Sequence, residues 1–372
     1  MKSTPTNQLT AVNYDEVEQQ FIALLEIEHL DKKVAVDPNL VRDFENAISS
    51  AIPAAYQRTP GDDAAHLFLQ RVLYRINRLK FFWYDDLQHY TNERSAYLRT
   101  VLESVEAVWQ EWEIAQIDVV ALQTANVRQE LIDRAVADVD PPISADGEFF
   151  REQMTEAGYR QLVAIASLDG LVEASQLSRT LGGVANEVHS VLTRLLLEEY
   201  GGGRLARKHS SHFATMLAEL DMNLEPEAYL DLVPWELLAV INHSFLLTER
   251  KRYFLRYIGG LLYGELSVPA AFRNYQAAGV RLGLSTNAMA YWNLHINIDE
   301  LHGRWMLNDA ALPLVDQYPA DAWELLLGYD QQRLMNNRAG ASVARSVREV
   351  DHATTSNTKS NYNVVLKKML KH

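Results

Sequence analysis

Apolar positions recur along almost the whole chain at intervals of three and four residues, the period of a helix with one face turned to a core. Strict apolar–polar alternation, the mark of a half-buried strand, is nearly absent. The pattern predicts an all-α protein. A first set of helices is expected over 13–30, 38–51, 62–84, 89–115 and 117–136. A second set is expected over 146–168, 171–181, 186–199, 204–221, 233–247, 250–265, 268–281, 285–306 and 319–335. Between them, Asp138-Val139-Asp140-Pro141-Pro142-Ile143-Ser144 cannot continue a helix, because proline lacks the N–H and clashes with the preceding turn. Three segments follow: an N-terminal helical domain over 1–140, a helical core over 141–340 and a polar C-terminal tail over 341–372.

Composition narrows the chemistry. The 372 residues are 48% hydrophobic and 23% charged, an ordinary globular balance. The net charge of −14 speaks against nucleic acid as a partner, since phosphate binding needs a basic surface. There is no cysteine, which excludes disulfides, thiolate catalysis and iron–sulfur clusters. A protein-held metal must therefore use His, Asp and Glu, a donor set suited to iron, manganese or zinc. Met1–Thr10 is polar and no run of eighteen apolar residues occurs, so neither a signal peptide, a membrane span nor a membrane partner is expected, and the expected compartment is the cytoplasm. No Gly-x-Gly-x-x-Gly or Walker loop is present.

The N-terminal half offers scattered His29, His66 and His89 and an aromatic cluster Phe81-Phe82-Trp83-Tyr84 that reads as packing. The C-terminal half holds the chemistry. In Trp292–His302, His295, Asp299 and His302 fall at i, i+4 and i+7, on one strip of a helix that is apolar nearly all round. A buried strip of two imidazoles and a carboxylate needs a partner for its charge. A divalent metal supplies one; structural His–Asp hydrogen bonding is the alternative. Glu199 continues the apolar stripe Val188, Val191, Leu192, Leu195, Leu196. After Gly201-Gly202-Gly203, His209 sits in the stripe Leu205, Ala206, Phe213, Met216, Leu217, Leu220, with His212 at its edge. Glu265 extends Phe254, Ile258, Leu261, Leu262 just before Pro269. Glu173 shares a short face with Leu177 and Leu181, and both a ligand and an exposed acid stay open for it. Inward Glu and His on several helices make the carboxylate-bridged two-metal arrangement of helical bundles, and three His with four carboxylates leave open positions for dioxygen and substrate.

The order Glu173, Glu199-Tyr200-Gly201-Gly202-Gly203, His209, Glu265 and His295-x3-Asp299-x2-His302 resembles the heme-oxygenase-like diiron oxidases and oxygenases, over roughly residues 146–335. The resemblance implies a heme-oxygenase-like helical bundle, two iron ions that react in the diferrous state, dioxygen as co-substrate and an external electron donor. Within the family the spacing is similar to the N-oxygenating subgroup, which carries an added carboxylate ligand at the position of Glu199. It implies Glu173, Glu199, His209, Glu265, His295, Asp299 and His302 as ligands and an amine or guanidine of a small molecule as substrate, in natural-product biosynthesis. A helical N-terminal domain in this placement implies a homodimer. Some subgroup members add a C-terminal cupin domain for a nitroso-forming rearrangement; the 372 residues stop short of one, so that step is not expected. Two rivals remain. One is a diiron desaturase or C–C lyase acting on an amino acid or fatty acid. The other is a non-enzymatic helical interaction protein. Tyr200, Phe213, Tyr263 and Trp292 flank the candidate ligands, as pocket or as core.

Overall fold

The computed structural model describes residues 12–80, 92–182 and 186–369, with side chains through Thr354. The described residues form helices and turns and no strand, so the chain is all-α as expected. It divides into two compact units between Trp112 and Glu113, not at residue 140.

The first unit contains α1 (Tyr14–Leu25), α2 (Leu30–Val36), α3 (Arg42–Tyr56), α4 (Asp63–Arg78) and most of α5 (Ala96–Ile114). Its core is aromatic: Phe21 stacks on Phe44 at 4.5 Å between ring centroids, and Phe68 meets Phe44 edge-on. Glu18 is buried and satisfied by two guanidiniums, Arg71 at 3.0 Å and Arg75 at 2.7 Å. His66 packs against Tyr56 and Trp112, a core histidine. His89 and the Phe81–Tyr84 cluster lie outside the described residues.

The second unit contains α6 (Val119–Thr124), α7 (Val127–Val139), α8 (Ala145–Glu152), α9 (Glu156–Gly170), α10 (Glu187–Glu199), α11 (His209–Glu219), α12 (Trp235–Thr248), α13 (Phe254–Arg281), α14 (Ala290–Trp305), α15 (Leu312–Gln317) and α16 (Trp323–Met369). The helix α13 is central and packs on α14, α16, α12, α8 and α7. Leu122, Leu131 and Ala135 are buried in the same core as Ile258, Leu262 and Leu325, and Arg134 pairs with Asp330 at 2.9 Å. That burial joins α6 and α7 to this unit, so the double proline is a turn inside it.

Three further expectations are corrected. Pro269 does not break α13, which runs through it for 28 residues. A proline inside a helix costs about 3 kcal/mol, and burial of Ile258, Leu262 and Leu266 before it and of Ala278 and Gly279 after it holds the helix together. Residues 171–181 do not form an α-helix: Ala174 has φ +61, which a right-handed helix cannot contain, and a short 3-10 turn, Leu177–Thr180, follows. The segment after 340 is not a tail of irregular structure. It continues α16, with Val343, Ala344 and Val347 buried against Leu162, Val163 and Phe149.

The tightest crossing is between α13 and α16. A Cβ on Gly259 would overlap the Leu325 carbonyl, and one on Gly328 would overlap the Arg256 carbonyl. The two backbones touch directly, which fixes the height of α13 and of the Glu265 it carries.

Candidate metal centre

Four helices and one turn segment deliver polar side chains to one level of this bundle. Glu199 is the last residue of α10 and stays buried, on the face of Val188, Leu192 and Leu195. The next three glycines all take positive φ, 61°, 62° and 77°, a run open to glycine without penalty. They turn the chain back so that His209 opens α11, 2% exposed. Glu265 lies on α13 one turn before Pro269, whose missing N–H frees the Glu265 carbonyl. On α14, His295, Asp299 and His302 share the buried face, as the spacing predicts. Glu173 comes from the turns after α9 and is partly buried. Trp292, one turn before His295, is anchored by donating its indole N–H to the Tyr159 hydroxyl at 2.7 Å.

The seven side chains form two groups. Glu173, Glu199, His209 and His295 place one donor atom each within 4.8 Å of one another, and so do Glu265, Asp299 and His302. Glu199 stands between the groups. Its Oε2 is 2.7 Å from His209 Nδ1 and its Oε1 is 3.6 Å from His302 Nδ1. His295 Nδ1 contacts the Tyr291 carbonyl at 2.9 Å; donating there leaves Nε2 as the lone-pair nitrogen. That Nε2 lies 3.1 Å from both Glu173 Oε1 and His209 Nδ1. The Tyr291 hydroxyl donates to Glu173 Oε1 at 2.8 Å. His302 Nδ1 is 3.2 Å from Glu265 Oε2 and 3.7 Å from Asp299 Oδ1. His212 joins neither group.

Protein hydrogen bonds do not complete this cluster. Glu173 Oε2, Glu199 Oε2, Asp299 Oδ1 and His302 Nε2 are buried without a hydrogen-bond partner. The approach of His209 Nδ1 to Glu199 Oε2 is short but is not aligned as a hydrogen bond. Unsatisfied buried carboxylate oxygens are costly. Cations lodged among them would satisfy three of these four atoms, and a donor set of N and O without sulfur suits iron. The residues present therefore fit a metal pair, one ion per group.

The protein without metal pays electrostatically for this arrangement. Burial, and then the charges of Glu173 and Glu265, push Glu199 well above the ordinary carboxylate range. Burial and Glu265 push Asp299 up to about 9. Burial opposes protonation of His295, but the Glu173 carboxylate beside it raises it to about 10. His302 is likewise raised against its burial, by Glu265. Burial and the neighbouring His295 lower His209 to about 4. Burial raises Glu173, but the His295 charge prevails and holds it low.

The raised groups keep protons that the unfolded chain releases, so their stabilisation is lost as pH rises through the folded values. The lowered His209 and Glu173 act in the opposite sense, but only below about 6.5, the ordinary histidine value. From about pH 6.5 to 9 the metal-free protein should therefore lose stability. Divalent metal should flatten that slope, because metal takes the place of the protons. Melting curves at both ends of this window, with and without Fe(II), check it; a metal-free profile that is flat or rises would contradict it.

A cavity of about 240 Å³ opens against the centre, bounded on one side by Glu173, Glu199, Glu265, His295 and Asp299. Its remaining wall is apolar through Val240, Ile241, Leu247, Leu261 and Val268, with Asp169, Gln176, Ser244, Tyr257 and Gln332 as polar points. Sequence reasoning missed these. Asp169 stands four residues before Glu173, a spacing that could have flagged it. Tyr291 stands four before His295, and its carbonyl and hydroxyl both serve the centre. The four aromatic residues that flank the ligands in sequence do not line the cavity. Phe213, Tyr263 and Trp292 are core, and Tyr200 is half-buried beneath Lys208.

Residues 160–332 match the family described as iron-containing redox enzymes. The chain is also similar to a nitrosourea synthase of Streptomyces achromogenes subsp. streptozoticus, 27% identical over 168 residues, 45% of this chain and 36% of that protein. The matched region thus spans little more than a third of that relative. Among the described residues no helix is long and apolar enough to cross a membrane. All seven candidate ligands, from Glu173 to His302, fall inside the family match, and over this region the all-α chain is similar to the iron-containing redox enzymes.

Proposed function

We propose that this protein is a non-heme diiron, dioxygen-dependent N-oxygenase acting on an amine or guanidine nitrogen of a small molecule. The observation that carries the two-metal reading is the position of Glu199, with one oxygen toward each ligand group and no hydrogen-bond partner on Oε2. Glu173, His209 and His295 would hold one ion; Glu265, Asp299 and His302 would hold the other; Glu199 would serve both. Two ferrous ions bound there would supply the first two electrons to dioxygen, so that one oxygen atom passes to nitrogen and the other leaves as water with two protons, an external donor restoring the electrons.

The chain's own residues set the conditions. Tyr291 orients two ligands at once, accepting from His295 through its carbonyl and donating to Glu173 through its hydroxyl. Four carboxylates balance the charge of two divalent ions, which leaves the neutral imidazoles to complete coordination. The apolar wall of Val240, Ile241, Leu247, Leu261 and Val268 limits water beside the centre. The N-oxygenating branch is supported by the similarity to the nitrosourea synthase and by Glu199 itself.

The test is anaerobic loading with Fe(II), followed by iron counting, dioxygen uptake against a panel of amines and guanidines, and product mass. About two irons per chain and a product heavier by one oxygen on nitrogen are expected. Clearly less than one iron per chain and no dioxygen uptake would leave a non-catalytic helical protein. Loss of hydrogen or of a carbon fragment would instead mark a desaturase or lyase.

A further inference from the structure

Asp169 is the one carboxylate at the cavity that the metal centre does not use. It closes the last turn of α9 and lines the cavity with an exposed side chain. Among the described residues no donor hydrogen-bonds its carboxylate and no Arg, Lys or His pairs with it. The ligand carboxylates Glu173, Glu199, Glu265 and Asp299 are matched in charge by two divalent ions on the reading above. Asp169 is not, so a filled centre leaves one unmatched carboxylate beside a chamber that is otherwise uncharged. No Lys or Arg lines that chamber. Lys208, which feels the Glu173 charge, lies over the Tyr200 ring at 4.3 Å instead.

A chamber with one unmatched carboxylate, hydrogen-bonding Gln176, Ser244, Tyr257 and Gln332, and a short apolar wall has a definite preference. It attracts a cation with N–H donors on a small hydrocarbon body, because a charge-assisted hydrogen bond is about twice as strong as a neutral one. It offers no Lys or Arg to receive a substrate whose only polar end is a carboxylate. Its volume of about 240 Å³ is below the usual range for drug-sized ligands, which suits a small body.

We propose that Asp169 is the substrate-binding residue of this site and pairs with an ammonium or guanidinium group of a small organic cation, held with its apolar body against Val240, Ile241 and Leu261. This rests on the diiron reading for the charge balance, and the experiment separates the two. Fe(II)-loaded protein, kept anaerobic, is dialysed to equilibrium against n-butylammonium, n-butylguanidinium or n-butanol, and the bound probe is quantified by mass. At least one cation should bind tenfold or more tighter than butanol. Which cation binds better distinguishes amine from guanidine. In Asp169→Asn the cation preference should fall at least tenfold, with butanol binding and iron content unchanged. No cation preference in the wild type, or a preference that survives in Asp169→Asn, overturns the proposal. If the wild type takes up less than one iron per chain, the diiron reading fails by itself. The same dialysis of metal-free wild type and Asp169→Asn then decides Asp169: a lost preference supports it and a retained one overturns it.

Discussion

Replacing Gly328 by alanine should destabilise the protein by about 3–5 kcal/mol, more than the 1–3 kcal/mol of ordinary overpacking, because the added methyl meets backbone that cannot rotate away. The methyl would overlap the Arg256 carbonyl of α13. Alanine gains about 1 kcal/mol over glycine in a helix interior, far too little to offset the overlap. Relief requires α13 and α16 to separate, which opens the core of Ile258, Leu262, Leu325, Leu326 and Tyr329. Separation also shifts Glu265, six residues beyond Gly259, so metal binding should weaken together with stability. Gly340→Ala is the control on the same helix: nothing lies within 4 Å of its Cβ position, and it should be neutral or gain up to about 1 kcal/mol. Thermal or denaturant unfolding of both variants checks the pair. Equal melting of Gly328→Ala and wild type would mean that the two backbones are not in contact.

On the proposed function, Glu199→Gln should reduce bound iron from about two per chain to one or fewer and lower the proposed N-oxygenation by more than the roughly 10–100-fold that loss of an outer-shell partner costs a metal site. The amide keeps the shape of the side chain but removes the charge and replaces one acceptor oxygen with a donor nitrogen. Each remaining group keeps three residues, Glu173, His209 and His295 or Glu265, Asp299 and His302, so one ion can stay. The variant should also fold at least as well as wild type without metal, because Glu199 is a buried carboxylate pushed well above its ordinary range. Iron counting beside unfolding measurements checks both halves. Two irons and full activity in the variant would remove Glu199 from the centre.

Much of this organisation is legible in the chain, and the reason is local geometry. A helix rotates about 100° per residue, so His295, Asp299 and His302 must share a strip wherever the helix goes. The apolar stripe of α10 likewise carries Glu199 inward, and the stripe around Phe213 carries His209 inward. Errors arose where packing overrides local preference. Pro269 breaks an isolated helix, but α13 is clamped along both halves and continues. The polar residues after 340 cover a buried seam of Val343, Ala344 and Val347, too sparse to read as a stripe. Asp138–Ser144 looks like a linker, yet the helices before it are buried in the same core as α13 and α16.

The sequence by itself determined that this protein is all-α, that its polar chemistry is limited to oxygen and nitrogen donors, and which face of each helix turns inward, because periodicity and composition are properties of the chain alone. Only the tertiary structure decided that Glu173, from a turn rather than a helix, reaches His295, that Glu199 faces two ligand groups, and that Asp169 opens onto a chamber beside them. Those relations join residues up to about 130 positions apart. They depend on the height at which helices cross, set by backbone contact at Gly259 and Gly328 and by turns such as Gly201–Gly203, and no local pattern encodes that height.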